Sequence, residues 1–112
     1  MERLDLCIEH LRAFTTERDW DQYHTPENLA KSISIESAEL LECFQWSNDF
    51  DINAVKDEIA DVMIYCMMLA DTLHLDAVDL MEEKLKKNIA KYPVDKCRGQ
   101  ITKYDKIEPT AN

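Results

Sequence analysis

Residues 52–73 read INAVKDEIADVMIYCMMLADTL, and no other stretch of this chain constrains its fold as strongly. The stretch has neither glycine nor proline and is rich in residues that favour helix, so it predicts one long α-helix. An apolar stripe at helical spacing comprises Val55, Ile59, Val62, Cys66 and Leu69. This third helix of the chain is therefore expected to contribute to the core.

The same helix is apolar on nearly every side. Outside the stripe it also carries Met63, Ile64, Met67 and Met68. One side of a small bundle cannot bury so much apolar surface, and a short chain has a limited core of its own. We therefore expect a homo-oligomer, either a homodimer or a homotetramer.

Three more helices are predicted, two before this long helix and one after it. Their expected bounds are residues 3–18, 26–46 and 76–92. Thr25 is a suitable N-cap and Pro26 is tolerated at the first helical position, whereas Pro93 disfavours continuing the last helix. The expected fold is all-α, an antiparallel bundle of about four helices, with one domain over residues 1–93 and a partly packed or flexible tail over residues 94–112.

Composition supports this fold class and limits the partners. The chain has 112 residues with one glycine and three prolines, which favours helices over sheets. Its 23 acidic and 13 basic residues give a net charge of −10, which repels a nucleic-acid backbone. No apolar run is long enough to span a bilayer. We expect a cytoplasmic protein that binds neither nucleic acid nor membrane.

Acidic residues at helical spacing interrupt two of the apolar stripes. In the second helix, Glu36 falls inside a stripe, and Glu39 lies one turn further on at its edge. In the third helix, Glu58 and Asp61 border the stripe in the same way. The second-helix stripe comprises Leu29, Ile33, Leu40 and Phe44. Two pairs of carboxylates can then face each other across a helix interface.

Four ionised carboxylates brought together would repel one another unless a cation neutralised them. Magnesium is the natural candidate, because it prefers oxygen ligands and shares them with substrate phosphates. The alternative is that these acids form solvated helix faces paired with lysines, which is the usual fate of a single Glu-x-x-Glu motif. The position of Glu36 inside an apolar stripe, and the presence of a second pair, favour the metal site.

The fourth helix combines an expected buried stripe with a row of donors. The stripe comprises Val78, Met81, Leu85 and Ile89. Lys84, Asn88 and Lys91 follow one another at i, i+4 and i+7, so they can meet phosphate oxygens, or they can simply form a solvated lysine face. Trp46 shares the Glu39 edge of the predicted second helix, where it can form a wall for a planar base or pack in the core.

The paired motif, Glu36 and Glu39 followed after residues 40–57 by Glu58 and Asp61, resembles the MazG-like all-α nucleotide pyrophosphohydrolases. Over residues 10–104 the surrounding sequence looks like the dCTP pyrophosphatase branch of that family. The segments that carry this likeness include Arg18-Asp19-Trp20-Asp21-Gln22-Tyr23-His24, Phe44-Gln45-Trp46 and Lys91-Tyr92-Pro93.

The resemblance implies hydrolysis of a nucleoside triphosphate to a monophosphate and pyrophosphate, as a house-cleaning step for the nucleotide pool. The implied catalytic residues and magnesium ligands are Glu36, Glu39, Glu58 and Asp61. The implied phosphate-side residues are Lys84, Asn88, Lys91 and Tyr92. The residues implied around base and sugar are Trp20, His24, Trp46 and Tyr65. Cytosine deoxynucleotides are the first candidate substrate.

A water molecule attacking in line is the expected mechanism, with Glu39 preferred over Glu36 as the group that orients it. A di-iron carboxylate bundle would need Glu-x-x-His pairs, which this sequence lacks. A non-catalytic helical dimerisation or adaptor module, whose acids lie only on the surface, is the remaining alternative. A pyrophosphate-release assay separates these three functions.

Overall fold

The computed structural model describes residues 2–46 and 48–101. These residues form five α-helices and a short 3₁₀ helix at Asp21–Tyr23, and the described ranges contain no strand. The helices are α1 (Arg3–Glu17), α2 (Pro26–Glu42), α3 (Ile52–Thr72), α4 (Ala77–Lys91) and α5 (Val94–Cys97). The prediction of an all-α fold is confirmed. None of the helices in the described ranges is long and apolar enough to cross a bilayer.

Local capping explains where the two central helices begin. The Thr25 side chain accepts a hydrogen bond from the backbone N–H of Asn28, and Pro26 occupies the first turn of α2, as predicted. The Asp51 carboxylate accepts a bond of 2.9 Å from the N–H of Asn53 at the start of α3. Each cap satisfies a donor that has no partner inside its helix.

The second helix ends earlier than predicted, at Glu42 rather than near Trp46. Cys43, Phe44 and Gln45 each donate to the carbonyl three residues back, which tightens the chain into a turn. The Phe44 ring then lies 5.0 Å from the ring of Phe50, across the loop. This aromatic contact between residues on either side of the loop competes with continuation of the helix.

The chain divides into two compact units, Met1–Asp76 and Ala77–Asn112. In the first unit, α1 and α2 both pack against α3. Its buried side chains include Leu29, Val55 and Ala70, and a buried polar residue, Thr15. These contacts hold the carboxylate-bearing faces of α2 and α3 together.

The second unit differs from expectation in the exposure of α4. The predicted buried stripe of α4 is exposed, with Val78, Met81, Leu85 and Ile89 between 46% and 63% accessible. Val94–Cys97 forms the short helix α5, inside the segment for which the sequence predicts a partly packed or flexible tail. Residues 102–112 of that predicted tail lie outside the described residues.

Candidate metal centre and an adjacent cavity

A group of three carboxylates lies between α2 and α3. Glu36, Glu58 and Asp61 each offer an oxygen, and these oxygens all lie within 4.8 Å of one another. All three residues are half-buried. The spacing of Glu58 and Asp61 by three residues puts both on one face of α3, and the packing of α2 against α3 adds Glu36.

Glu36 and Glu58 each have one carboxylate oxygen without a partner. Oε2 of Glu36 and Oε2 of Glu58 are buried, and within residues 2–46 and 48–101 they accept no hydrogen bond. None of the ion pairs in the same ranges neutralises the group. Buried charged oxygens without partners are strongly unfavourable, and they are uncommon in folded proteins. The arrangement is therefore well suited to a bound cation.

The electrostatics lead to the same conclusion. Hydrogen bonding to Glu39, burial and repulsion from neighbouring carboxylates together raise the pKa of Glu36 to about 7. Burial, followed by the charges of Glu39 and Asp61, also raises the pKa of Glu58. Without a cation the group therefore holds protons that free glutamates would lose. A bound divalent ion would replace those protons.

Glu39 occupies a different position from the other three acids. It is exposed and is not part of the group of converging oxygens. Its carboxylate nevertheless interacts with both Glu36 and Glu58, so it lies at the rim of the site. The structure thus brings three of the four predicted ligands together and places the fourth beside them.

The donor set fits magnesium. All three converging groups are carboxylates, the hard oxygen ligands that magnesium prefers, and none of them is a thiolate or an imidazole. An octahedral ion that takes a few protein oxygens keeps its other positions for water and phosphate. The half-buried site at a helix interface leaves one side open for such ligands.

The predicted aromatic residues lie in different environments. Tyr65 is half-buried on α3, one turn beyond Asp61. Trp20 lies edge-on to Phe14 at 5.6 Å and to His24 at 6.4 Å, measured between ring centroids. Trp46 lies beyond the end of α2 and is 89% exposed, so the expectation that it continues the Glu39 edge of that helix is wrong.

The predicted phosphate-side residues belong to the second unit. Lys84, Asn88 and Lys91 lie on α4, and Tyr92 follows it and donates its backbone N–H to the carbonyl of Asn88 at 2.9 Å. The lysines are exposed and Asn88 is half-buried. Their spacing along α4 is as expected, and their role with phosphates stays a prediction.

A cavity of about 410 Å³ lies in the first unit, between α1 and α3. Its apolar walls include Ile8, Leu11, Met67 and Met68. Its polar lining includes Arg12, Thr16, Asp21, His24 and Asp71. The cavity thus combines apolar walls with a few polar groups, as small-molecule sites do. Of these residues, only His24 was identified from the sequence as a site residue.

Two hydrogen-bonded pairs organise the polar lining. Arg12 donates through Nε to Oδ2 of Asp71 at 2.9 Å and through Nη2 to Oδ1. Thr16 donates its hydroxyl to Asp21 at 2.9 Å. The Arg12 guanidinium lowers the pKa of Asp71, so this carboxylate is ionised at neutral pH. No periodic signal could have revealed a pair whose members lie 59 positions apart.

Comparison with known proteins gives a consistent result. Residues 31–107 match the family described as MazG-like. The chain is 37% identical over 108 residues to dCTP pyrophosphatase 1 of Mus musculus, covering 87% of this chain and 64% of that protein. It is 33% identical over 111 residues to dCTP pyrophosphatase 1 of Homo sapiens, covering 89% and 65% respectively. The chain therefore spans less than two thirds of the length of these relatives.

A solved structure is similar over a larger share of its own length. The crystal structure of a pyrophosphatase from Archaeoglobus fulgidus superposes with a TM-score of 0.77 at 41% sequence identity. The match covers 83% of this chain and 94% of that one. The helical fold is thus shared with a protein described as a pyrophosphatase.

Proposed function

This chain belongs to the MazG-like family, and on that premise we propose that it is a magnesium-dependent pyrophosphohydrolase of nucleoside triphosphates. The products are a nucleoside monophosphate and pyrophosphate, and dCTP is the first candidate substrate, since the curated relatives are dCTP pyrophosphatases. The observation that carries the proposal is the group of three converging carboxylates with two buried, unpartnered oxygens. Its biological role would be house-cleaning of the nucleotide pool.

The protein's own residues divide the work. Glu36, Glu58 and Asp61 would hold magnesium, because their oxygens converge. Magnesium bound there supplies positive charge for the triphosphate and lowers the pKa of the attacking water. Glu39 lies exposed at the rim of the same group, where it can orient that water and accept its proton. The half-buried position of the three ligands keeps them in one geometry before substrate arrives.

The roles of the remaining predicted residues belong to the same proposal. Lys84, Asn88, Lys91 and Tyr92 would donate to the phosphates. His24 lines the α1–α3 cavity, and Trp20 contacts His24 edge-on, which supports a place for both near base and sugar. Tyr65 follows Asp61 on α3 and would lie beside the sugar.

A homodimer or homotetramer is part of the proposed function. Leu41 on α2 is 71% exposed and Met63 on α3 is 57% exposed, and the apolar stripe of α4 is exposed as well. Such apolar faces are typical of surfaces that a second copy covers. Light scattering at micromolar concentration should return a multiple of the chain mass, and a monomer mass would contradict this part of the proposal.

The direct test is pyrophosphate release. The purified chain is incubated with dCTP, dTTP, dATP or dGTP, with magnesium or with a chelator, and pyrophosphate is measured. We expect magnesium-dependent release of one pyrophosphate per monophosphate formed. Glu27→Gln is a matched control, because Glu27 pairs with Lys31 on the exposed side of α2 and should leave turnover unchanged. Release of orthophosphate alone, or no hydrolysis of any triphosphate, would contradict the proposal.

A further inference from the structure

Part of the lining of the α1–α3 cavity lies along the same face of α3 as the carboxylate group. Met68, which lines the cavity, follows Asp61 by seven residues, which is two helical turns. The two side chains therefore point in nearly the same direction from α3, about 10 Å apart along its axis. A separation of this order lies within the length of a nucleoside triphosphate. A triphosphate bound at the carboxylates can extend its base towards the cavity.

The size and lining of the cavity suit a base. A volume of about 410 Å³ lies in the range of small-molecule sites and exceeds what a single nucleobase needs. Leu11, Met67 and Met68 supply apolar walls for its faces. Apolar walls alone do not distinguish one base from another, so selectivity would also require polar groups at the edge of the base.

The Arg12–Asp71 pair can supply that edge. Arg12 uses Nε and Nη2 for Asp71, which leaves the Nη1 edge of its guanidinium able to donate to another acceptor. Each oxygen of the Asp71 carboxylate can accept more than one hydrogen bond. The pair thus offers a donor and an acceptor side by side in the cavity lining.

We propose that the Arg12–Asp71 pair selects bases that carry, on the Watson–Crick edge, an amino group next to an unprotonated ring nitrogen, with cytosine as the first example. Asp71 accepts from the amino group, and Arg12 donates to the ring nitrogen. Thymine and guanine place a carbonyl oxygen and a ring N–H at these positions, which opposes acceptor to acceptor and donor to donor. Adenine shares the cytosine pattern and is accepted by the same pair. This inference rests on the proposed function for its substrate class.

A purely structural bridge between α1 and α3 is the competing explanation of the pair. The two explanations differ for the exchanged double variant Arg12→Asp/Asp71→Arg. An exchanged pair can still join the helices, so it should recover the melting temperature lost in Arg12→Asp alone. It moves the acceptor to α1 and the donor to α3, however, so it should not recover base selectivity.

The experiment compares kcat/KM for dCTP, dATP, dTTP and dGTP in the parent, in Asp71→Asn and in the exchanged variant. An amide at position 71 can present either a donor or an acceptor, so Asp71→Asn should reduce the preference for dCTP over dTTP by about tenfold or more. Glu27→Gln, which removes an ion pair outside the cavity, should retain the parental preference. Melting curves confirm that each variant is folded.

Calorimetry with dCMP and dTMP gives a second readout that needs no turnover. If the parent hydrolyses triphosphates but Asp71→Asn or the exchanged variant keeps the parental base preference, the inference is overturned and the proposed function stands. If no triphosphate is hydrolysed but dCMP binding depends on Asp71, the inference stands and the proposed function fails. If dCMP and dTMP bind the parent equally and no triphosphate is hydrolysed, both are overturned.

Discussion

Two sets of carboxylates lie on α3 and have opposite electrostatic surroundings. Near the middle of the helix, Glu58 and Asp61 meet Glu36 across the α2 interface, and burial and mutual repulsion raise the pKa of Glu58. Towards the end of α3, Asp71 is paired with Arg12, which lowers its pKa. The second site carries its own counter-charge and the first does not. The difference supports the proposal that the first site binds a cation from solution.

The largest expected effect on activity comes from removing one charge from the carboxylate group, which has no counter-charge of its own among the described residues. Glu58→Gln keeps the shape of the side chain but removes the charge of a proposed ligand. Loss of a group that only supports a metal ligand reduces activity by up to about 100-fold. Magnesium-dependent turnover should therefore fall by at least about 100-fold in this variant. The helical fold should persist, because the variant also removes repulsion. Circular dichroism and pyrophosphate release on the same sample test this separation. Parental turnover at limiting magnesium would show that Glu58 is not a ligand.

The two sets of carboxylates should also differ in how their contributions to stability depend on pH. Glu36 has a folded-state pKa of about 7, above its ordinary value of 4.5, so its contribution to stability is present below pH 4.5 and is lost as the pH rises through 7. Asp71 has a lowered pKa, so its contribution is present above its ordinary value of 3.8 and is lost in stronger acid.

Melting curves recorded at several pH values test both of these opposite pH dependences. Without metal, the melting temperature of the parent should decline between about pH 5 and 7 relative to Glu36→Gln, which has no carboxylate at position 36 to ionise. Magnesium should remove that decline. In Asp71→Asn the difference from the parent should shrink below pH 4 instead. A metal-free parent whose stability does not change relative to Glu36→Gln over this range would contradict the assigned repulsion.

The smallest effect on stability is expected at Trp46. Its side chain is 89% exposed, so Trp46→Ala leaves no cavity inside the chain and should change the melting temperature little. If Trp46 forms a wall for the base, KM should rise while magnesium affinity stays constant; stacking on an aromatic ring contributes about 1–3 kcal/mol per base in single-stranded nucleic-acid sites. Unchanged relative kcat/KM across the four triphosphates would exclude the base-wall role.

The same contrast explains how much of the molecule the sequence could predict. The carboxylate group was predictable, because Glu58 and Asp61 repeat the spacing of Glu36 and Glu39 on neighbouring helices. The helix starts were predictable from local caps such as Thr25. The early end of α2 was not, because helical periodicity does not reveal the turn after Glu42 or the contact of Phe44 with Phe50 across the loop.

The polar lining of the α1–α3 cavity could not be predicted from the sequence, for a similar reason. Arg12 and Asp71 each look like an ordinary charged residue on an amphipathic helix, and only the packing of α1 against α3 pairs them. The exposed apolar stripe of α4 shows a second limit of prediction from sequence. Periodicity correctly identified an apolar face there, but periodicity cannot show whether the same chain or another copy covers it.

Calorimetric titration of the metal-free protein with magnesium, in two buffers of different ionisation enthalpy, tests the metal centre most directly. The three carboxylates should bind magnesium and release protons as they do so, because Glu36 and Glu58 have raised pKa values without the ion. The affinity should increase as the pH rises through about 7, and Glu58→Gln should abolish most of it. Binding that releases no protons and is unchanged in Glu58→Gln would contradict the assignment of this group as the metal centre.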